Sequence, residues 1–255
     1  MGGAWYTAAA WAGAPSTEHE HREPVKDRNL IVAIDGPSGA GKGTVARTLA
    51  RMLGYRHVDT GAMYRAVGWK ALRDGLDLDD EAAVAGVASR SMIRVEDGEV
   101  RIDEHDVTRA IRTPEIDRAA TRVARLPQVR QELVSRQRAL AASGAIVMEG
   151  RDIGTVVCPD ADVKIYLDAA PEERARRRVN DPAHTSGTAG QAAVAEAIAA
   201  RDRSDSTRAV SPLMVAADAV VIDTTRMTIE EVVDRVLEIV KATGLRPRAT
   251  GPSQA

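Results

Sequence analysis

The stretch Ile31-Val-Ala-Ile-Asp-Gly-Pro-Ser-Gly-Ala-Gly-Lys-Gly-Thr44 restricts what this chain can fold into more than any other. An apolar β-type run ends in four glycines, one lysine and one threonine, and a helical pattern follows. Those parts in that order make a phosphate cradle. A buried strand fixes where the loop starts, and glycines let backbone N–H groups come close to a polyphosphate. The next helix presents its positive end, and the lysine adds a full charge. The P-loop spacing is G-x-x-x-x-G-K-[ST], and Gly36 to Lys42 fit it. Position 43 departs from it, with Gly43 where Ser or Thr normally helps to hold Mg²⁺, and Thr44 next.

At 255 residues the chain is long enough for one large α/β domain or two smaller ones, with a core that requires no staple. Its single cysteine, Cys158, excludes an internal disulfide and fits a reducing compartment. Next to Pro159 and after an apolar run, Cys158 reads as a packed thiol rather than a nucleophile. The five histidines show no ligand spacing: His19 and His21 lie in a polar leader and His57 in a short strand pattern. A net charge of −2 supplies no general field for nucleic acid or an anionic membrane. No apolar run nears the ~18 residues of a spanning helix. A cytoplasmic location, with neither nucleic acid nor membrane as partner, is the expectation.

Residues 1–28 read as a poorly ordered extension and 245–255 as a flexible tail. The first residues lack the positive region of a secretion signal and the Ser/Thr of a myristoylation site. Phenylalanine is absent, so the core must be built from Val, Ile, Leu and Ala.

Strands and helices alternate, which favours a parallel sheet with helices on both faces. Leu30–Asp35 is the first strand; Val45, Leu49, Met52 and Leu53 mark a helix ended by Gly54. Tyr55–Val58 is a second strand, with Asp59-Thr60 placed to cap a helix running through Met63, Val67 and Leu72 to Gly75. Residues 76–145 differ in character. Met92–Val95 and Val100–Asp103 suggest a hairpin around Asp97-Gly98, and prolines open helices near Pro114–Arg125 and Pro127–Ala142. Three more core strands follow at Ile146–Met148, Val163–Leu167 and Ala219–Ile222. A capping box, Thr228-x-x-Glu231, opens a last helix with Ile229, Val232, Val233, Val236 and Val240 on one face and Gly244 at its end. Residues 171–208 hold two arginine-rich helices joined by a small-residue hinge, either a mobile lid or a solvated helical hairpin.

A P-loop accounts for one polyphosphate. A kinase acting on a phosphorylated acceptor needs a second anion site, and phosphoryl transfer there is mostly positioning and charge stabilisation. Arg65, Arg151, Arg201 and Arg208 fall where the topology allows them to converge.

The loop Gly-Pro-Ser-Gly-Ala-Gly-Lys-Gly-Thr resembles that of nucleoside monophosphate kinases. With Asp59-Thr-Gly-Ala-Met-Tyr-Arg65, Gly150-Arg-Asp-Ile-Gly-Thr155 and Arg201-Asp-x-x-Asp-x-x-Arg208, the chain resembles the bacterial cytidylate kinases over about residues 29–243. Pro159–Asp168 and Arg208-Ala-Val-Ser-Pro-Leu213 extend the likeness. The resemblance implies a P-loop α/β domain over 29–244 with a five-stranded parallel sheet flanked by helices. It also implies an inserted α+β monophosphate-binding subdomain at about 76–145 and a helical lid at about 171–208. The implied activity is transfer of the ATP γ-phosphoryl group to CMP or dCMP, with Mg²⁺ held mainly through ATP phosphates and water, by a monomer.

Carried over residue by residue, the likeness implies that Gly36, Pro37, Ser38, Gly39, Ala40, Gly41, Lys42, Gly43 and Thr44 hold ATP. Arg65, Arg151 and Arg208 would clamp the CMP phosphate, with Lys42, Arg151 and Arg208 acting in catalysis. Arg201 and Asp205 would reach the ribose, and Asp152 would accept from the cytosine amino group, which uracil lacks. Thr121 and Arg130 would face the ring, and Thr60 and Tyr64 would line the pocket. Arg174, Arg177 and Arg178 are lid candidates for phosphate contact. Glu149 stands where the family pattern has Asp, so a longer arm must retract to position Mg²⁺ through water. Plainer roles stand beside these: Tyr64 as core, Thr60 as a cap only, Arg130 on a charged helix face, and Arg151 and Asp152 as structural ion pairs. Two rival activities also stand: a kinase for UMP or another small acceptor, and an ATPase switch with no acceptor.

Overall fold

The computed structural model describes residues 27–96, 98–181, 190–243 and 246–247. The expected turn residue Asp97, the helix-ending Gly244, most of the small-residue hinge and nearly all of the extension and tail lie outside the described residues. Two short pieces of the extension and tail are described: β1 (Asp27–Arg28) pairs in parallel with β10 (Arg246–Pro247).

The central sheet forms from five apolar runs, β2 (Ile31–Asp35), β3 (Arg56–Asp59), β7 (Ile146–Glu149), β8 (Val163–Asp168) and β9 (Val220–Asp223). All pair in parallel, in the order β3-β7-β2-β8-β9. This is the expected sheet, with boundaries shifted by one residue. Along β2, Val32 and Ile34 turn to one face and Ala33 to the other. The first face packs on α1 (Lys42–Leu53) and α8 (Ile229–Ala242) through Val45, Leu49, Val232, Val233, Val236 and Val240. The second packs Met148, Val58 and Ile153 under Val134 and Ala141 of α5 (Pro127–Ala141). Each fully buried Val, Leu or Ile contributes about 1.5–3 kcal/mol, so an aliphatic core without phenylalanine is sufficient.

A separate apolar cluster gathers α2 (Thr60–Arg73), α3 (Glu81–Arg90), α4 (Pro114–Val123) and the small antiparallel sheet β4 (Ile93–Glu96), β5 (Glu99–Ile102), β6 (His105–Asp106). The hairpin was legible; α3 was not, because Glu-Ala-Ala-Val-Ala-Gly-Val-Ala-Ser-Arg carries only two strong apolar markers, Val84 and Val87. Its N-cap is Asp80, which accepts from Ala83 N at 3.0 Å. Two of the apolar residues that mark these helices in the sequence are on the surface, Met52 (57% exposed) and Leu72 (36%). The capping box at Thr228 and Glu231 forms as expected. Helices α6 (Pro171–Val179) and α7 (Gln191–Thr207) pack on each other through Ala175, Val194 and Ile198.

Register positions the site. Asp59 and Ile34 both lie opposite Glu149, and Asp35 lies opposite Tyr166, so four strands end along one carboxyl edge. Gly36 makes the turn out of β2 at φ 145°, and a Cβ there would sit 2.0 Å from the Leu167 carbonyl oxygen. Gly36→Ala is therefore expected to cost roughly 2–6 kcal/mol from clash and backbone strain. The result should be a much lowered thermal midpoint, and a midpoint within a degree of wild type would contradict the packing.

Candidate active site

A cavity of about 440 Å³ opens at the carboxyl edge of the sheet, where open α/β sheets place their ligands. Ten cationic side chains line it against five carboxylates, so it is built for an anion.

One wall is the loop ahead of α1. Gly39 and Gly41 take left-handed φ values of 81° and 91°, and Gly41 is the N-cap of α1. Lys42, the first helical residue, is buried and donates from Nζ to the Pro37 carbonyl at 2.7 Å. Burial, then the charge of Arg151, holds its ammonium well below the ordinary lysine range. Ser38, Gly39, Gly41, Lys42, Gly43 and Thr44 face the cavity. Gly36, Pro37 and Ala40 do not line it and shape the loop instead. The departure at position 43 has a physical reason: a Cβ there would lie 3.0 Å from Glu149 Oε1. Glu149 fills the space that Ser or Thr would take, and its Oε1 is 3.2 Å from His57 Nε2.

The opposite wall comes from α2. Asp59 ends β3 and caps α2, accepting from Ala62 N at 2.9 Å. The cap is Asp59 rather than Thr60, whose hydroxyl donates to the Glu149 carbonyl at 2.7 Å. Burial pushes the Asp59 carboxyl up, but Arg65 at 2.7 Å and Arg112 at 3.7 Å overcome this and hold it below the usual range.

Asp152 is the centre of the third wall. One of its oxygens meets Arg130 and the other lies 3.3 Å from Arg208 Nη2. Arg130 is 2% exposed, and its guanidinium carbon lies 5.4 Å from the Tyr64 ring centroid. Arg130 therefore does not merely decorate a helix face, and Tyr64 is both buried and cavity-lining. Two ion pairs leave a carboxylate with lone pairs to spare for an amine. Arg151 donates to Asp205 Oδ2 at 2.9 Å, and Asp205 lies 3.8 Å from Arg208. Arg201 reaches Asp117 Oδ1 at 3.3 Å, and the Thr121 hydroxyl donates to the Asp117 carbonyl at 2.8 Å. Burial first, then neighbouring guanidiniums, lowers the pKa of Arg201, Arg208 and Arg112, as expected where cations crowd.

All ten residues expected on the acceptor side, Thr60, Tyr64, Arg65, Thr121, Arg130, Arg151, Asp152, Arg201, Asp205 and Arg208, line this one cavity, as do Glu149, Arg177 and Arg178. Arg174 is the correction. It is buried, donates to the Ala169 and Ser38 carbonyls at 3.0 Å each, pairs with Asp202, and does not line the cavity. It braces the phosphate loop from behind. The sequence reading missed Arg47, Arg112 and Asp181, which have no motif around them and enter through the fold alone. Cys158 is buried and its thiol is pushed up to about 11 by burial, in keeping with a packed, unreactive group.

Strand, glycine loop and helix on a five-stranded parallel sheet, facing a wall of arginines across one cavity, define a P-loop kinase architecture. A family model described as cytidylate kinase matches residues 32–242. A protein named cytidylate kinase from Desulfitobacterium hafniense (strain Y51) is 50% identical over 215 residues, covering 83% of this chain and 93% of that one. Another of the same name, from Pelotomaculum thermopropionicum, is 49% identical over 216 residues, covering 83% and 96%. The chain belongs to the cytidylate kinase family.

Proposed function

We propose that this chain transfers the γ-phosphoryl group of ATP to CMP and dCMP, giving the nucleoside diphosphates and ADP. The observation that carries the reading is the single cavity in which a phosphate loop faces a ring of arginines and one base-reading carboxylate. Lys42 and the loop N–H groups hold the ATP phosphates. Arg65, Arg151 and Arg208 grip the acceptor phosphate with fork geometry that a lysine lacks. Arg201 and Asp205 take the ribose, Thr121 and Arg130 the ring, and Asp152 the exocyclic amine. No general base is required, because a phosphate monoester oxygen is already ionised near pH 7. The protein's part is to bring two anions into line and exclude water.

The donor set suits Mg²⁺ carried on phosphate oxygens and water. Among the described residues no group of three His, Cys, Asp or Glu is placed to hold a metal, and Glu149 is the carboxylate beside the phosphate loop. When bound, the ion supplies charge neutralisation at the transferred phosphoryl group. Segments 76–145 and 171–208 serve as acceptor-binding insertion and closing lid. No helix among the described residues is long and apolar enough to cross a membrane. On this reading the protein works in the cytoplasm as a monomer.

The test is ADP release from Mg-ATP with CMP, dCMP, UMP, AMP or GMP added separately. Release confined to CMP and dCMP, with matching diphosphate, is the expected result. Equal release with no acceptor would overturn the reading in favour of an ATPase switch. Asp152→Asn is expected to narrow the preference for CMP over UMP by roughly 10–100-fold, the value of about 1–3 kcal/mol for a lost base contact. An unchanged preference would remove Asp152 from base recognition.

A further inference from the structure

We infer that Asp35, which does not line the cavity, is a positioning residue that sets Arg151 and Asp152 in place for the acceptor. The inference rests on the acceptor roles proposed above for those two residues. Asp35 ends β2, directly before Gly36 and the phosphate loop, and is 5% exposed. Its Oδ1 accepts from Ile153 N at 2.8 Å and its Oδ2 from Gly154 N at 2.7 Å. Those two N–H groups open a π-helical turn, Ile153–Val157, that begins immediately after Arg151 and Asp152. The same turn returns to Asp152, whose carbonyl accepts from Val156 N at 2.9 Å and Val157 N at 3.1 Å. One side chain therefore ties the end of the strand that launches the donor loop to the backbone that aims the acceptor residues. A Cβ on Gly154 would lie in ordinary contact with Asp35 Oδ2 at 3.5 Å and closer to Lys164 Cδ, at 3.2 Å.

The arrangement is kept at a cost. Burial pushes the Asp35 carboxyl up to about 6, against the pull of the two N–H donors, with the charge of Asp152 raising it further and Lys42 lowering it. A carboxylate with a raised folded pKa costs nothing below its ordinary value near 4 and costs stability in full above the folded value. Near pH 7 the ionised form is thus unfavourable for folding, and its two-oxygen geometry is what it supplies. Asparagine has nearly the same shape but only one acceptor oxygen, and its NH₂ would face one of the two N–H groups. A misaimed turn then costs catalysis, because small displacements of positioning groups reach about a hundredfold in rate.

The test is Asp35→Asn, measured for KM of CMP, KM of ATP, kcat and thermal midpoint, beside Arg151→Ala and Asp152→Asn. The expected result is a folded protein with kcat/KM for CMP about 10–100-fold down and KM for ATP changed less than about threefold. A merely structural role would lower the active fraction and leave both KM values unchanged, which overturns the inference. If Arg151→Ala and Asp152→Asn impair CMP use while Asp35→Asn spares it, the inference fails and the acceptor site stands. If those two variants spare CMP as well, the acceptor reading fails and this inference falls with it. Should Asp35→Asn not fold, Asp35→Glu carries the test: its extra methylene moves both carboxylate oxygens away from their places on Ile153 N and Gly154 N and should raise KM for CMP about 3–10-fold, and a normal KM for CMP overturns the inference.

Discussion

Replacing Lys42 with alanine should lower turnover about a thousandfold while leaving the protein folded. The reason lies in what surrounds the ammonium. It is buried at the positive end of α1, beside Arg151, and donates to the Pro37 carbonyl. Burial and that neighbour depress its folded pKa, so a charged Lys42 costs stability, in full below the depressed value and less as pH climbs toward the ordinary lysine range. At pH 7 its removal relieves that cost. The same charge becomes favourable once phosphate oxygens lie against it, and more so as charge shifts during transfer. Loss of one such preorganised donor typically lowers rates by about 10²–10³. Steady-state turnover with CMP, measured beside a thermal melt, decides it. Turnover within tenfold of wild type would remove Lys42 from the reacting phosphates.

Arg151→Ala should raise KM for CMP about a hundredfold and KM for ATP by less than about threefold. Arg151 sits on the turn after β7 and is oriented by Asp205, with the Nε–Oδ2 contact at 2.9 Å. Stripping one partner from a buried ion pair is usually severe, at about 3–5 kcal/mol. Here Asp205 retains Arg208 at 3.8 Å, so the loss should fall on substrate rather than on folding. Arg151→Lys should recover only part of the affinity, because a single ammonium cannot bridge phosphate and Asp205 as a fork does. Equal losses on both substrates would refute the acceptor role.

Much of this site was legible in the chain because its chemistry lies in local order. Strand, glycines, lysine and helix are consecutive, and the acceptor residues travel in short motifs with fixed spacing. The partners that orient them were less visible. His57 meets Glu149 across 92 positions and Asp35 meets Gly154 across 119, and neither pairing leaves a periodic trace. Arg112 lies in a loop whose aim depends on where the small sheet docks, and its neighbour Asp59 had been read only as a cap. Arg174 differs for a related reason: it shares a face of α6 with Arg177 and Arg178, which line the cavity, but sits one turn earlier, where the Ser38 carbonyl and Asp202 take it up. Helix α3 escaped because alanine and glycine mark no face strongly.

The contacts of α7 carry a further consequence. Within five consecutive residues this helix places Arg201 on Asp117 of α4, Asp202 on the Ser38 backbone N–H at 3.0 Å, and Asp205 on Arg151. A helix is stiff over so short a span, so a tilt that loosens one contact loosens the others. The phosphate loop and the wall proposed to hold the acceptor are thereby joined to a single lever. Such a lever makes the two walls mechanically interdependent: a substitution that frees Arg201 from Asp117 is expected to loosen Asp202 on Ser38 and Asp205 on Arg151 as well.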